Sequence, residues 1–209
     1  MTGPGEGPPR LEFWFELAST YSYVGAMRIE EECARKGVTL RWVPFLLGPL
    51  FSEQLGIKDS PFNVNPVRGR YMWRDLERLC RKYDLPWRKP SVFPRNTVLA
   101  ARVACALDGD RRQGDCIRSL FRANFALDRD ISSPAVVAEA LRVCGVDGDA
   151  IVARAGAPEV KAALRANTER ARAAGIFGAP DCLVGDELFF GQDRIADAIA
   201  WATSSSPAG

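Results

Sequence analysis

The chain has 209 residues, 47% of them hydrophobic, and a formal net charge of +2. That supplies one good core with room for a subdomain, and it gives no global case for binding nucleic acid or a membrane surface. No stretch approaches a membrane-spanning length and the first nine residues have no apolar signal core, so a cytoplasmic protein with disordered ends, 1–9 and 204–209, is expected.

Taken in chain order, residues 11–17 (LEFWFEL) read as a strand and 18–22 as a turn. A helix follows over 21–37, stopped by Lys36-Gly37, and then a strand over 38–45. Ser19 therefore falls at a strand-to-helix junction, where unpaired N–H groups and the helix dipole favour a thiolate or carboxylate held against it. Residues 47–66, rich in Pro, Gly and Asn, predict an irregular loop. From Val67 onward the pattern is helical over 67–83, 94–109, 112–126, 133–145, 147–156 and 158–174. A hairpin follows, Cys182–Val184 and Glu187–Phe190 around Gly185-Asp186, and a closing helix spans 193–202. The order β-α-β, helices, β-β-α predicts one mixed sheet built from 10–46 and 175–203, with 47–174 inserted as a loop and helical subdomain.

Chemistry is constrained by what is missing. The chain has no histidine, which removes Ser-His and Cys-His nucleophile pairs and the commonest metal ligand. Its six cysteines, Cys33, Cys80, Cys105, Cys116, Cys144 and Cys182, are never closer than eleven positions, so no C-x-x-C redox pair or zinc doublet exists. They are expected as buried reduced thiols; for Cys182, two residues past Pro180, a reactive thiol is the alternative.

Several separated segments, in order, carry a resemblance. Phe13-Trp14-Phe15-Glu16-Leu17-Ala18-Ser19-Thr20-Tyr21-Ser22-Tyr23, Pro44-Phe45-Leu46-Leu47-Gly48-Pro49, Gly69-Arg70-Tyr71-Met72-Trp73-Arg74-Asp75, Gly175-Ile176-Phe177-Gly178-Ala179-Pro180 and Phe190-Gly191-Gln192-Asp193-Arg194 resemble 2-hydroxychromene-2-carboxylate isomerases. That family is similar to kappa-class glutathione transferases and has a DsbA-like thioredoxin fold. The resemblance implies an α/β thioredoxin-like fold and glutathione as cofactor. It implies Ser19 as the hydroxyl donor to the glutathione sulfur, Ala179-Pro180 as a cis-proline corner beside the cysteinyl part, and Gln192 and Asp193 at the γ-glutamyl end. Arg68 matches a basic glutathione contact of the kappa relatives, and a homodimer is implied by the same relatives. Thr20 stands where the family usually has Pro, and Glu16 where it usually has Asp.

Each residue also has a plainer role. Ser19 alone reads as a helix N-cap and Asp193 as a cap for the final helix; the conjunction of Ser19, Pro180 and Asp193 is what argues for catalysis. The nine basic residues between Arg68 and Arg95, against three acidic ones, read first as a solvated helix face. Tyr21, Tyr71 and Trp73 are candidates for an aromatic pocket wall, with packing between domains as the alternative for Tyr71 and Trp73. The expected activity is glutathione-dependent isomerisation of a small aromatic carboxylate. Conjugation of glutathione to electrophiles and non-catalytic binding remain as alternatives, and thiol oxidoreduction is removed by the missing cysteine pair.

Overall fold

The computed structural model describes residues 8–204. A four-stranded sheet holds the fold together: β1 (Arg10–Phe15), β2 (Thr39–Pro44), β3 (Asp181–Val184) and β4 (Glu187–Phe190), in the order β2-β1-β3-β4. β1 and β2 run parallel, with Phe13 opposite Trp42; β3 is antiparallel to both β1 and β4. The mixed sheet is as the sequence predicts, with strands from the two ends of the chain side by side.

Alternation along β1 sends its side chains to two separate cores. Leu11, Phe13 and Phe15 join Tyr23, Trp42, Phe121 and Phe125 in the larger one. Trp14 points the other way, into a smaller cluster with Val43, Phe45, Leu50, Ala171 and Ile176. The larger core receives α1 (Thr20–Ala26), α2 (Ile29–Ala34), the later helices α5 (Pro66–Lys82), α6 (Val98–Ala106), α7 (Gln113–Phe125) and α8 (Pro134–Arg142), and the closing helix α11 (Ile195–Ser204). α9 (Gly148–Arg154) packs on α8. The smaller core is roofed by α3 (Leu47–Leu55) and α10 (Pro158–Ala173), which both fall inside 47–174 yet cover the sheet itself.

Three expectations are corrected. The single helix over 21–37 is two, because Arg28 leaves helical geometry at φ −122° and its guanidinium is anchored to Gln192 and Glu32. The loop over 47–66 contains α3 and the short α4 (Pro61–Val64). Pro49 sits in the first turn of α3, where its missing N–H has no helical partner to lose, and Gly56 closes the helix at φ +66°. The helix expected from residue 94 begins at Val98, since Asn96 turns its side chain back to accept from the Val98 N–H.

At the ends, Pro9 accepts from the Thr39 N–H at 2.7 Å and α11 runs through Ser204. The remaining terminal residues expected to be disordered, 1–7 and 205–209, lie outside the described residues. No helix among the described residues is long and apolar enough to cross a membrane.

Candidate active site at the Ser19 and cis-Pro180 corner

β1 ends at Phe15, and the next four residues turn sharply into α1. Ser19 is the N-cap, at φ −82° and ψ 122°. Its Oγ accepts from the Ser22 N–H at 3.1 Å and donates to the Ala179 carbonyl oxygen at 2.9 Å. The cap and the long-range contact are thus made by one hydroxyl. The Ala179-Pro180 peptide is cis, as is Phe93-Pro94.

Glu16 supports this turn from below. Its side chain is buried and accepts from the Thr97 hydroxyl, from the Leu47 N–H at 3.1 Å and from the Ala18 N–H at 3.4 Å. One carboxylate therefore ties the Ser19 loop to the start of α3 and to the start of α6. Burial raises its pKa, and the Thr97 and backbone donors offset only part of that rise. The Leu17 carbonyl accepts from Asn124 Nδ2 of α7 at 3.0 Å, which fixes the loop from a third side.

Across from Ser19, a close approach shapes the corner. A Cβ on Gly178 would lie 2.4 Å from the Phe190 ring, and Phe190 meets Phe177 at a 47° tilt with ring centroids 4.5 Å apart. Gly191 donates to the Pro180 carbonyl at 2.9 Å and adopts φ +107°, which favours glycine. It leads into the 3-10 turn Gln192–Arg194. Gln192 is buried, its carboxamide oxygen taken by Arg28 at 2.8 Å. Asp193 is exposed, with Arg194 at 3.9 Å.

Tyr21 donates to Asp75 Oδ2 at 3.1 Å and packs against Phe62 at 6.4 Å. Burial, then the negative charge of Asp75, then Tyr71 and Asp193, push its pKa upward, so the phenol keeps its proton. Tyr71 is 63% exposed. Arg68, one turn earlier on α5, is exposed and its guanidinium has no ion pair among the described residues. Trp73 faces elsewhere: it stacks on Trp87 at 5.9 Å and meets Phe93 edge-on at 4.7 Å. The structure thus brings Ser19 to Ala179-Pro180 and Tyr21 to Asp75, with Tyr71 and Asp193 within electrostatic reach of the Tyr21 phenol, while Trp73 is packing between helices and loop. Much of the basic segment is neutralised locally, by Arg74 and Arg81 on Glu77 and by Arg95 buried on Asp128.

Two residues escaped the sequence. Asp75 lies four positions from Tyr71, on the same side of α5, a spacing that could have flagged it. Asp181, immediately after Pro180, is fully buried with neither carboxylate oxygen hydrogen-bonded among the described residues, and burial pushes it up to about 8. Cys182 is buried with its thiol pKa pushed well up, consistent with a core cysteine. Among the described residues there is no cluster of potential metal ligands.

The kappa 2 glutathione S-transferase of Caenorhabditis elegans is 29% identical to this chain, over 91% of each protein. A 2-hydroxychromene-2-carboxylate isomerase of Sphingobium xenophagum is 23% identical, over 88% of this chain and 93% of the relative. Among solved structures, a 2-hydroxychromene-2-carboxylate isomerase superposes with a TM-score of 0.78 at 21% identity, covering 92% of this chain and 93% of that one, a likeness of fold. The family model for the DsbA-like thioredoxin domain matches residues 10–199, which includes every strand and the whole Ser19 corner. The chain belongs to the DsbA-like thioredoxin domain family, among whose members its relatives include 2-hydroxychromene-2-carboxylate isomerases and kappa-class glutathione transferases.

Proposed function

We propose that the chain is a glutathione-dependent isomerase of the 2-hydroxychromene-2-carboxylate type, with Ser19 stabilising the glutathione sulfur. The observation that carries this reading is the Ser19 hydroxyl, 2.9 Å from the Ala179 carbonyl beside cis-Pro180. A hydroxyl donor stands there where a redox relative would need a cysteine.

The residues suit a tripeptide with one thiol, one ammonium and two carboxylates. Ser19 offers a donor to sulfur, Asp193 an exposed carboxylate for the ammonium, and Arg68 an exposed guanidinium with no ion pair among the described residues for a carboxylate. Gln192 contributes less directly, because its oxygen is held by Arg28. Glutathione, when bound, supplies a thiol that adds reversibly to a conjugated carbon.

Ser19 can turn its proton from the Ala179 carbonyl to a sulfur while its lone pair still accepts from Ser22 N–H, so the cap keeps its aim. A hydrogen bond to a charged acceptor contributes about 1.5–3 kcal/mol, equivalent to about one to two pKa units. α1 is only seven residues long and Ser19 itself caps its Ser22 N–H. The hydroxyl therefore outweighs the helix dipole in holding a thiolate. Tyr71, Phe177 and Phe190 present exposed rings for a small aromatic carboxylate.

The kappa relatives, at 28–29% identity, are more similar than the isomerases at 23–26%, which favours conjugation of electrophiles as a second reading. Calorimetric titration with glutathione, with ultraviolet absorbance at the thiolate band, should show binding and a thiolate signal that Ser19→Ala removes. The same substitution should lower turnover by about 10–100-fold, the equivalent of about 1.4–2.7 kcal/mol. An unchanged rate at saturating glutathione would overturn the role of Ser19. Turnover of 2-hydroxychromene-2-carboxylate against consumption of an activated aryl halide separates the two readings, and no binding at millimolar glutathione would leave a non-catalytic fold.

A further inference from the structure

Two thiols meet in the helical segment, on residues the Ser19 corner does not use. The register between α7 and the end of α8 is fixed at two points. Ser119 Oγ donates to the Ala140 carbonyl at 2.7 Å, and Arg112 Nη1 donates to the Gly145 carbonyl at 2.7 Å. Cys116 lies one helical turn from each of 112 and 119, and Cys144 lies between 140 and 145. The antiparallel register therefore brings Cys116 and Cys144 to the same stretch of the α7–α8 seam, and the Cys144 sulfur is near enough to raise the Cys116 thiol. The Arg112 guanidinium, paired with Asp110 at 2.9 Å, lies within the field of both sulfurs.

We propose that Cys116 and Cys144 form a reversible disulfide, a redox-modification site separate from the glutathione corner. The pair is asymmetric. Cys144 is half-buried, with its Sγ 3.8 Å from the Ala140 carbonyl, whereas Cys116 is wholly buried. Burial, then the neighbouring Cys144 and Asp110, pushes the Cys116 thiol up to about 12, with Arg112 opposing. Cys144 is accordingly the sulfur that meets the oxidant and Cys116 the one that closes the bond.

With hydrogen peroxide as oxidant, the Cys144 thiolate takes one oxygen as the O–O bond breaks, giving a sulfenic acid and, with a proton, water. The Cys116 sulfur then attacks the Cys144 sulfur. The S–S bond forms, the S–O bond breaks, and hydroxide leaves with the Cys116 proton as a second water. The thiol pair loses two electrons in all, and the peroxide gains them. A dithiol reductant reverses the change. The bond joins α7 to the end of α8, and α7 also carries Asn124, which braces the Ser19 loop at Leu17.

The test is native treatment of the whole protein with hydrogen peroxide, followed by alkylation and non-reducing peptide mapping by mass spectrometry. The expected result is a Cys116–Cys144 linked peptide, a protein lighter by two hydrogens, four remaining alkylatable thiols of the six, and full reversal by dithiothreitol. Oxidation should raise the thermal midpoint of the wild type and not that of Cys144→Ser, a half-buried change that folding tolerates even where Cys116→Ser does not. A linked Cys33–Cys182 peptide instead, a lone sulfinic acid at Cys144, or six free thiols after treatment would each overturn the proposal.

Discussion

Asp181 pairs across the sheet with Trp14 and Phe190, which seals its carboxyl among apolar neighbours with no donor for either oxygen among the described residues. Its carboxyl titrates near 8 in the folded chain, against about 3.9 for an exposed aspartate. Between those values the folded state holds a proton that the unfolded state has lost. Stability therefore falls as pH rises from about 4 to about 8, and this contribution is flat above. Asp181→Val should be more stable than the wild type by on the order of 2–5 kcal/mol at pH 8, with the gap narrowing toward pH 4. Urea unfolding across that range checks it; parallel profiles for the two proteins would show that Asp181 is not the group that titrates. Ser19 was legible at its strand-to-helix junction, and the cis-Pro180 corner followed from the family resemblance of Gly175–Pro180. Asp181 was not, because a carboxylate after proline reads as part of a turn, and only its pairing with Trp14 makes it buried.

At the scale of elements, Glu16 is the joint. It receives donors from the Ser19 loop, from α3 and from Thr97. Thr97→Val removes the one side-chain donor among these and leaves a buried carboxylate short of a partner. The substitution should cost about 1–3 kcal/mol near pH 7. Because the Thr97 hydrogen bond lowers the Glu16 pKa, the cost should shrink as the pH falls and Glu16 takes up a proton. Chemical denaturation at two pH values decides; a pH-independent cost would assign the loss to packing alone. The strands and the later helices follow from periodicity, but α3 does not, since Leu47-Gly48-Pro49 looks like a helix breaker until Glu16 is seen accepting from the Leu47 N–H at the helix start. The break at Arg28 is equally non-local, drawn by a partner 164 positions away.

On the scale of the whole molecule, the sheet joins the chain ends while the helices between them must be held to it. Their tie to the Ser19 loop is a buried relay. Arg95 Nη2 contacts Asp128, Arg95 Nη1 donates to Asn124 Oδ1 at 2.8 Å, and Asn124 Nδ2 donates to the Leu17 carbonyl at 3.0 Å, two residues before Ser19. The order of the predicted elements was enough to expect a helical insertion between two halves of one mixed sheet, and the family resemblance implied that the sheet is thioredoxin-like. They could not show that an asparagine in its middle reaches back to the first loop. Asn124→Ala leaves both the Leu17 carbonyl and the Arg95 guanidinium without this partner in a dry site, at a cost of about 1–3 kcal/mol. Because the larger core runs without interruption from β1 to α8, unfolding should remain a single transition at lower denaturant. The Ser19-dependent thiolate signal at saturating glutathione should weaken in parallel, since the loop that aims Ser19 has lost a support. A variant that unfolds earlier yet keeps its full thiolate signal would show that the relay holds the domain together without positioning Ser19.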